Sequence, residues 1–130
     1  MVQRQPGPVS VATGSVLQAA TGSIIQYTSY APERIIGRTS VLFFAKDADP
    51  FSRLSDQRLQ TLYGSGSATL STYRVPFNES ADLQLRYGVF VEDTFVLVGT
   101  GAERLSLIIH PSEMELKELI TSRSRDAASR

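Results

Sequence analysis

Cysteine is absent from these 130 residues. They can form no disulfide, thiolate nucleophile or thiolate metal site. Charge of one sign is also missing. Thirteen Lys and Arg balance thirteen Asp and Glu, and the pI is about 6.6. No net field draws the chain to nucleic acid or to an anionic membrane. No apolar run approaches the roughly 18 residues of a membrane helix. The N-terminus, Met1 to Pro6, lacks the basic-then-apolar pattern of a signal peptide. The expected compartment is therefore cytoplasmic, or extracytoplasmic if a leader or anchor has been removed. Histidine occurs once, as His110. It precedes Pro111 at a strand-to-helix junction, where a turn role is expected.

What is present fits one domain of ordinary size, with 42% hydrophobic and 20% charged residues. Residues 1–26 stand apart. They carry one charge, Arg4, and are rich in Gly, Ser, Thr, Ala and Gln. Ala12-Thr13-Gly14-Ser15-Val16-Leu17-Gln18 recurs as Ala20-Thr21-Gly22-Ser23-Ile24-Ile25-Gln26. The segment reads either as a linker or, through residues 11–26, as a strand pair that adds to a sheet edge in this chain or a neighbour. Residues 27–122 form the expected domain, and 123–130 a polar tail.

The patterning predicts alternating strands and helices. Ile24 to Tyr27 reads as a strand, and Ala31 to Ile36 as a short helix with Pro32 in its first turn and Gly37 as its stop. Ser40 to Ala45 is a continuous apolar run, suited to a central strand covered on both faces. Phe51 to Tyr63 predicts a helix with Phe51, Leu54, Leu59 and Leu62 on its apolar face. Thr69 to Val75 is a strand, Pro76 to Glu79 a turn, and Ser80 to Tyr87 a helix with Ser80 placed to cap it. Thr94 to Val98 and Leu105 to Ile109 form a hairpin. Pro111 opens a last helix with Met114, Leu116, Leu119 and Ile120 inward. Two right-handed βαβ crossovers, a hairpin and a closing helix predict an α/β three-layer sandwich with a mixed sheet.

Three segments carry a resemblance over about residues 30–122. They are Ser40 to Ala45; Asp49-Pro50-Phe51-Ser52-Arg53; and Leu85-Arg86-Tyr87-Gly88-Val89 followed by Thr94-Phe95-Val96-Leu97-Val98. Together they resemble the thioredoxin-like superfamily, in particular its small bacterial extracytoplasmic members. The resemblance implies a thioredoxin-like α/β/α sandwich whose active-site Cys-Pro-x-Cys falls on Asp49-Pro50-Phe51-Ser52. It also implies a cis-proline directly before the Thr94 strand, where this chain has Asp93. Thiol–disulfide exchange needs two sulfurs, so that chemistry is excluded. Asp49 before Pro50 reads instead as a helix N-cap. A cis bond before a non-proline costs about 3 kcal/mol, so a trans bond is expected at Asp93, and with it an altered peptide-docking edge.

Asp47, Asp49 and Asp93, with Glu92, form an acidic group that offers oxygen to a hard cation or two carboxylates for acid–base work. The competing reading is a helix cap with solvated loop charges. Ser52 has no histidine beside it in sequence to make a triad. Gly64-Ser65-Gly66-Ser67 lacks the lysine and spacing of a phosphate loop, and no motif implies a cofactor. The five tyrosines are scattered, as expected of rim residues. The expectation is a redox-inactive domain that binds a protein partner or serves as a structural module. The alternatives are a subunit joined to its neighbours through residues 11–26, and an acidic-site metal-binding or hydrolytic protein.

Overall fold

The computed structural model describes residues 24–121. The first copy of the repeat and the polar tail lie outside them. Five strands and three helices follow in the order β1 (Tyr27–Ser29), β2 (Ser40–Ala45), α1 (Pro50–Gly64), β3 (Thr72–Pro76), α2 (Ala81–Tyr87), β4 (Thr94–Val98), β5 (Arg104–Ile109) and α3 (Glu113–Thr121). The sheet order is β1-β3-β2-β4-β5. β3 runs parallel to β1 and β2, whereas β4 is antiparallel to β2 and to β5. Among the described residues, no helix is long and apolar enough to cross a membrane.

β2 is the middle strand, and all six of its residues are buried. Its alternation sorts the core into two layers. Val41, Phe43 and Ala45 pack with Phe95, Leu97, Leu59, Leu116, Leu119 and Ile120 beneath α1 and α3. Leu42 and Phe44 pack on the opposite face with Tyr73, Val75, Val96, Val98 and Tyr87 beneath α2. Phe43 and Phe95 sit opposite each other in the β2–β4 ladder and stack at 4.4 Å between ring centroids. Such a pair adds about 0.5–1.5 kcal/mol to what its buried area contributes.

The expected three-layer mixed sheet is found, with local corrections. The first strand begins at Tyr27 rather than Ile24, and the expected helix over 31–36 is a 3₁₀ turn of three residues, Pro32–Arg34. Gly37, at φ +77°, donates its N–H to Thr100 O (3.0 Å), which turns the chain toward β2 before a helix can extend. Strand β3 starts at Thr72 because the N–H groups of Thr69 and Leu70 go instead to Ile120 O at the end of α3.

The inward face of α1 is Ser52, Ser55 and Leu59, with Leu62 half-buried against the same core; of the expected apolar face, Leu59 and Leu62 turn inward and Phe51 and Leu54 do not. Phe51 and Leu54 are exposed by 54% and 44%. Ser80 holds the N-cap position of α2, but its side chain makes no cap bond; its hydroxyl donates to Phe77 O. α3 opens at Glu113 with a reciprocal box, Glu115 N–H to Ser112 Oγ and Ser112 N–H to Glu115 Oε1. Met114 faces outward.

Candidate functional site

The end of β2, the start of α1, the start of β4 and the end of β5 meet at one end of the sheet, which forms one edge of the domain. The ladders require it: Phe44 pairs with Thr94, and Thr94 with Ile109. The Asp49-Pro50-Phe51-Ser52 turn joins this edge at the N-terminus of α1.

Asp49 is the N-cap. Its backbone is extended (φ −82°, ψ 125°), and its carboxylate accepts the Ser52 N–H at 2.7 Å. Pro50 takes the first helical position, where a missing N–H is no loss. Ser52 is buried, and its hydroxyl accepts the Lys46 N–H at 3.1 Å. The position expected of the second cysteine thus ties the β2–α1 loop to its helix.

Asp93 occupies the place expected of the cis-proline, with its backbone at φ +58°. Its N–H donates to Phe44 O (2.8 Å), and its carbonyl accepts from His110 N–H (2.9 Å). The side chain is 2% exposed. Ser55 Oγ donates to Oδ1 at 2.6 Å, and His110 Nδ1 lies 3.0 Å from Oδ2. Burial raises the affinity of this carboxyl for its proton above the ordinary range, and the nearby Asp49 charge adds to the rise; the bonds from Ser55 and His110 oppose it. With Asp93 ionised, the bond to His110 requires a proton on Nδ1. The imidazole is over a third exposed and packs at 4.4 Å against the Phe51 ring. Thr94 is buried, and its hydroxyl donates to Val91 O at 2.7 Å.

The three aspartates have separate commitments. Asp47 is exposed and pairs with Arg74, Asp49 caps α1, and Asp93 is sealed between Ser55 and His110. Among the described residues, no group of three or more His, Cys, Asp or Glu side chains is placed to hold a metal ion.

Ser55 and His110 are the residues that sequence reasoning missed. His110 does sit at a junction with a turn backbone (φ +50°), as expected, but it also faces Asp93. A polar residue on the inward face of a helix was the available signal for Ser55. Its partner is 38 residues away and nothing in the sequence points to it.

Around this cluster, apolar side chains are open to solvent. Phe51 stands on α1, Phe90 and Val91 lead into β4, and Ile109 ends β5. The cluster supplies no thiol, and Ser55 reaches the carboxylate rather than the imidazole, so the arrangement is not a nucleophile–base relay.

Sheet order, helix placement and site position define a thioredoxin-like α/β fold. The Trxlp protein of Edwardsiella tarda EIB202 is similar over 73% of this chain and 98% of its own, at 17% identity and a TM-score of 0.63. A mutant thioredoxin from Halobacterium salinarum NRC-1 is similar over 75% and 89%, at 19% identity and a TM-score of 0.62. Fasciola hepatica thioredoxin is similar over 68% and 84%, at 20% identity and a TM-score of 0.58. At these identities the likeness is one of fold. No protein-family profile matches the sequence, and no curated protein does. The described residues thus have a thioredoxin-like fold, and a chain without cysteine cannot itself exchange thiols and disulfides.

Proposed function

We propose that this domain is a protein-binding module that uses the edge where a thioredoxin carries its redox site. The carrying observation is the set of exposed apolar side chains at that edge, Phe51, Phe90, Val91 and Ile109, around a rigid polar cluster. Solvent-exposed aromatic residues seated on a fixed scaffold are the usual anchors of a protein interface. Asp93 contributes rigidity: two side chains and two backbone bonds hold it. The His110 ring and the Phe51 ring, 4.4 Å apart and tilted by 33°, form one contact surface. The Asp49 and Glu92 carboxylates at the rim favour a partner with apolar side chains flanked by basic ones.

The test is substitution on the surface. Phe51→Asp and Ile109→Asp leave the core intact and are expected to abolish co-purification of a partner that the unaltered chain retains. Leu85→Asp, on the exposed side of α2, is the control and retains it. Retention by all three variants would contradict the reading.

A further inference from the structure

Leu54 belongs to the apolar pattern of α1, yet it is 44% exposed. It lines a cleft of about 330 Å³ between α1 and α3, at the small end of the roughly 300–1,000 Å³ usual for ligand pockets. Leu54, Arg58 and Leu62 stand four residues apart and so form one row along α1. Glu113 and Lys117, also four residues apart, line the cleft from α3.

Charge in this cleft is unbalanced. Two cations line it, against one carboxylate. Among the described residues the ion pairs are Asp47–Arg74 and Asp93–His110, so neither Arg58 nor Lys117 has one. Glu113 lies one turn ahead of Lys117 on α3. In that order the two charges attract along a helix, and Glu113 offsets the lysine. Arg58 has no such neighbour. The positions three and four residues away on its own helix hold Leu54, Ser55, Thr61 and Leu62. Its side chain is nonetheless half-buried, with a leucine one turn to either side. A guanidinium partly withdrawn from water offers its N–H groups in a planar fork that fits a carboxylate.

We propose that the α1–α3 cleft binds a small carboxylate with an apolar body, the chemistry of a short-chain fatty acid. The carboxylate sits on the Arg58 guanidinium, and the apolar body covers Leu54 and Leu62. Lys117 adds attraction at longer range. Charge and apolar surface act together, so neither a bare anion nor an uncharged apolar solute satisfies the site. The cleft is separate from the Asp93 cluster, and its occupancy does not depend on a protein docking there.

The test is a titration of the full chain with hexanoate, followed by backbone amide shifts, with acetate, hexanol and inorganic phosphate titrated in parallel. Hexanoate is expected to saturate with a dissociation constant of about 1 mM, in keeping with its few atoms. The amides of Leu54, Arg58, Leu62 and Lys117 are expected to move. Acetate, hexanol and phosphate are each expected to bind at least about tenfold more weakly. Arg58→Gln is expected to weaken hexanoate by at least about tenfold, and Arg58→Lys, which keeps the charge without the fork, by less. Glu113→Gln removes the one carboxylate in the cleft and is expected to tighten binding about two- to threefold. Unchanged amide shifts in β2 and β4 verify that each variant is folded. No saturable shift at the four amides would overturn the proposal. So would equal affinity for acetate, hexanol or phosphate, or an unchanged affinity for hexanoate in Arg58→Gln.

Discussion

Placing at position 93 the proline that the thioredoxin resemblance implies is expected to damage this protein. Asp93 sits at φ +58°, and proline is locked near −65°. The substitution also removes the N–H that donates to Phe44 O at 2.8 Å. The loss of that bond costs about 1 kcal/mol, and the forced backbone change adds about 3 kcal/mol or more. The hydroxyl of Ser55, a residue 2% exposed, then loses its acceptor, for about 1–3 kcal/mol. A total of at least about 5 kcal/mol approaches the whole stability of a small domain.

Asp93→Asn separates backbone from charge. Asparagine tolerates the left-handed backbone, keeps the Ser55 bond and both main-chain bonds, and is expected to lie within about 1 kcal/mol of the unaltered protein. The two variants are compared by urea unfolding at several pH values. The folded-state affinity of Asp93 for its proton is raised, chiefly by burial, above the ordinary value of 3.8. Between that pH and the folded value the native state binds more proton than the unfolded chain, so stability from this group is full below 3.8 and falls as pH rises through the folded value. Asp93→Asn is expected to lack that decline. An Asp93→Pro variant as stable as the unaltered protein would refute the reasoning.

Tyr73 is fully buried and its hydroxyl has no hydrogen-bond partner among the described residues. Tyr73→Phe is therefore expected to raise stability by about 1–2 kcal/mol in chemical denaturation. Asp49→Ala removes the cap bond to Ser52 N–H and is expected to cost about 0.5–2 kcal/mol by the same measurement. Gly88 has φ +73°, and a Cβ there would lie 2.9 Å from an Arg104 nitrogen that donates to Tyr87 O. Gly88→Ala is expected to lower the melting temperature, at a cost of about 1–2 kcal/mol.

Legibility in the sequence follows from how local each cause is. The β2 run Ser40–Ala45 and the β4 run Thr94–Val98 show their observed boundaries in the sequence, because continuous burial on both faces leaves an uninterrupted apolar signature. The Asp49 cap is legible for the same reason: acceptor, proline and helix are neighbours in sequence. The apolar face of α1 is legible only in part: Leu59 and Leu62 turn inward as expected, but Ser52 and Ser55 replace Phe51 and Leu54 there, meeting Lys46 N–H and the Asp93 carboxylate. Hydrophobic periodicity cannot see a polar contact that replaces an apolar one. The Asp93–His110 pairing is hidden by 17 residues of separation and by two positive-φ backbones at residues with side chains. Position 93 nevertheless stands out in the sequence as a departure from the expected cis-proline, through the family resemblance rather than through any pattern in the residues themselves.

The central claim is that partners dock at the edge carrying Phe51, His110 and Ile109. Its most direct test is a photo-crosslinking amino acid placed at Phe51 in the full chain, with a second variant carrying it at Leu85, each irradiated in native cell extract. The account predicts one discrete protein adduct from position 51, lost when Ile109→Asp is added, and none from position 85. No adduct from position 51, or the same adducts from both positions, would contradict it.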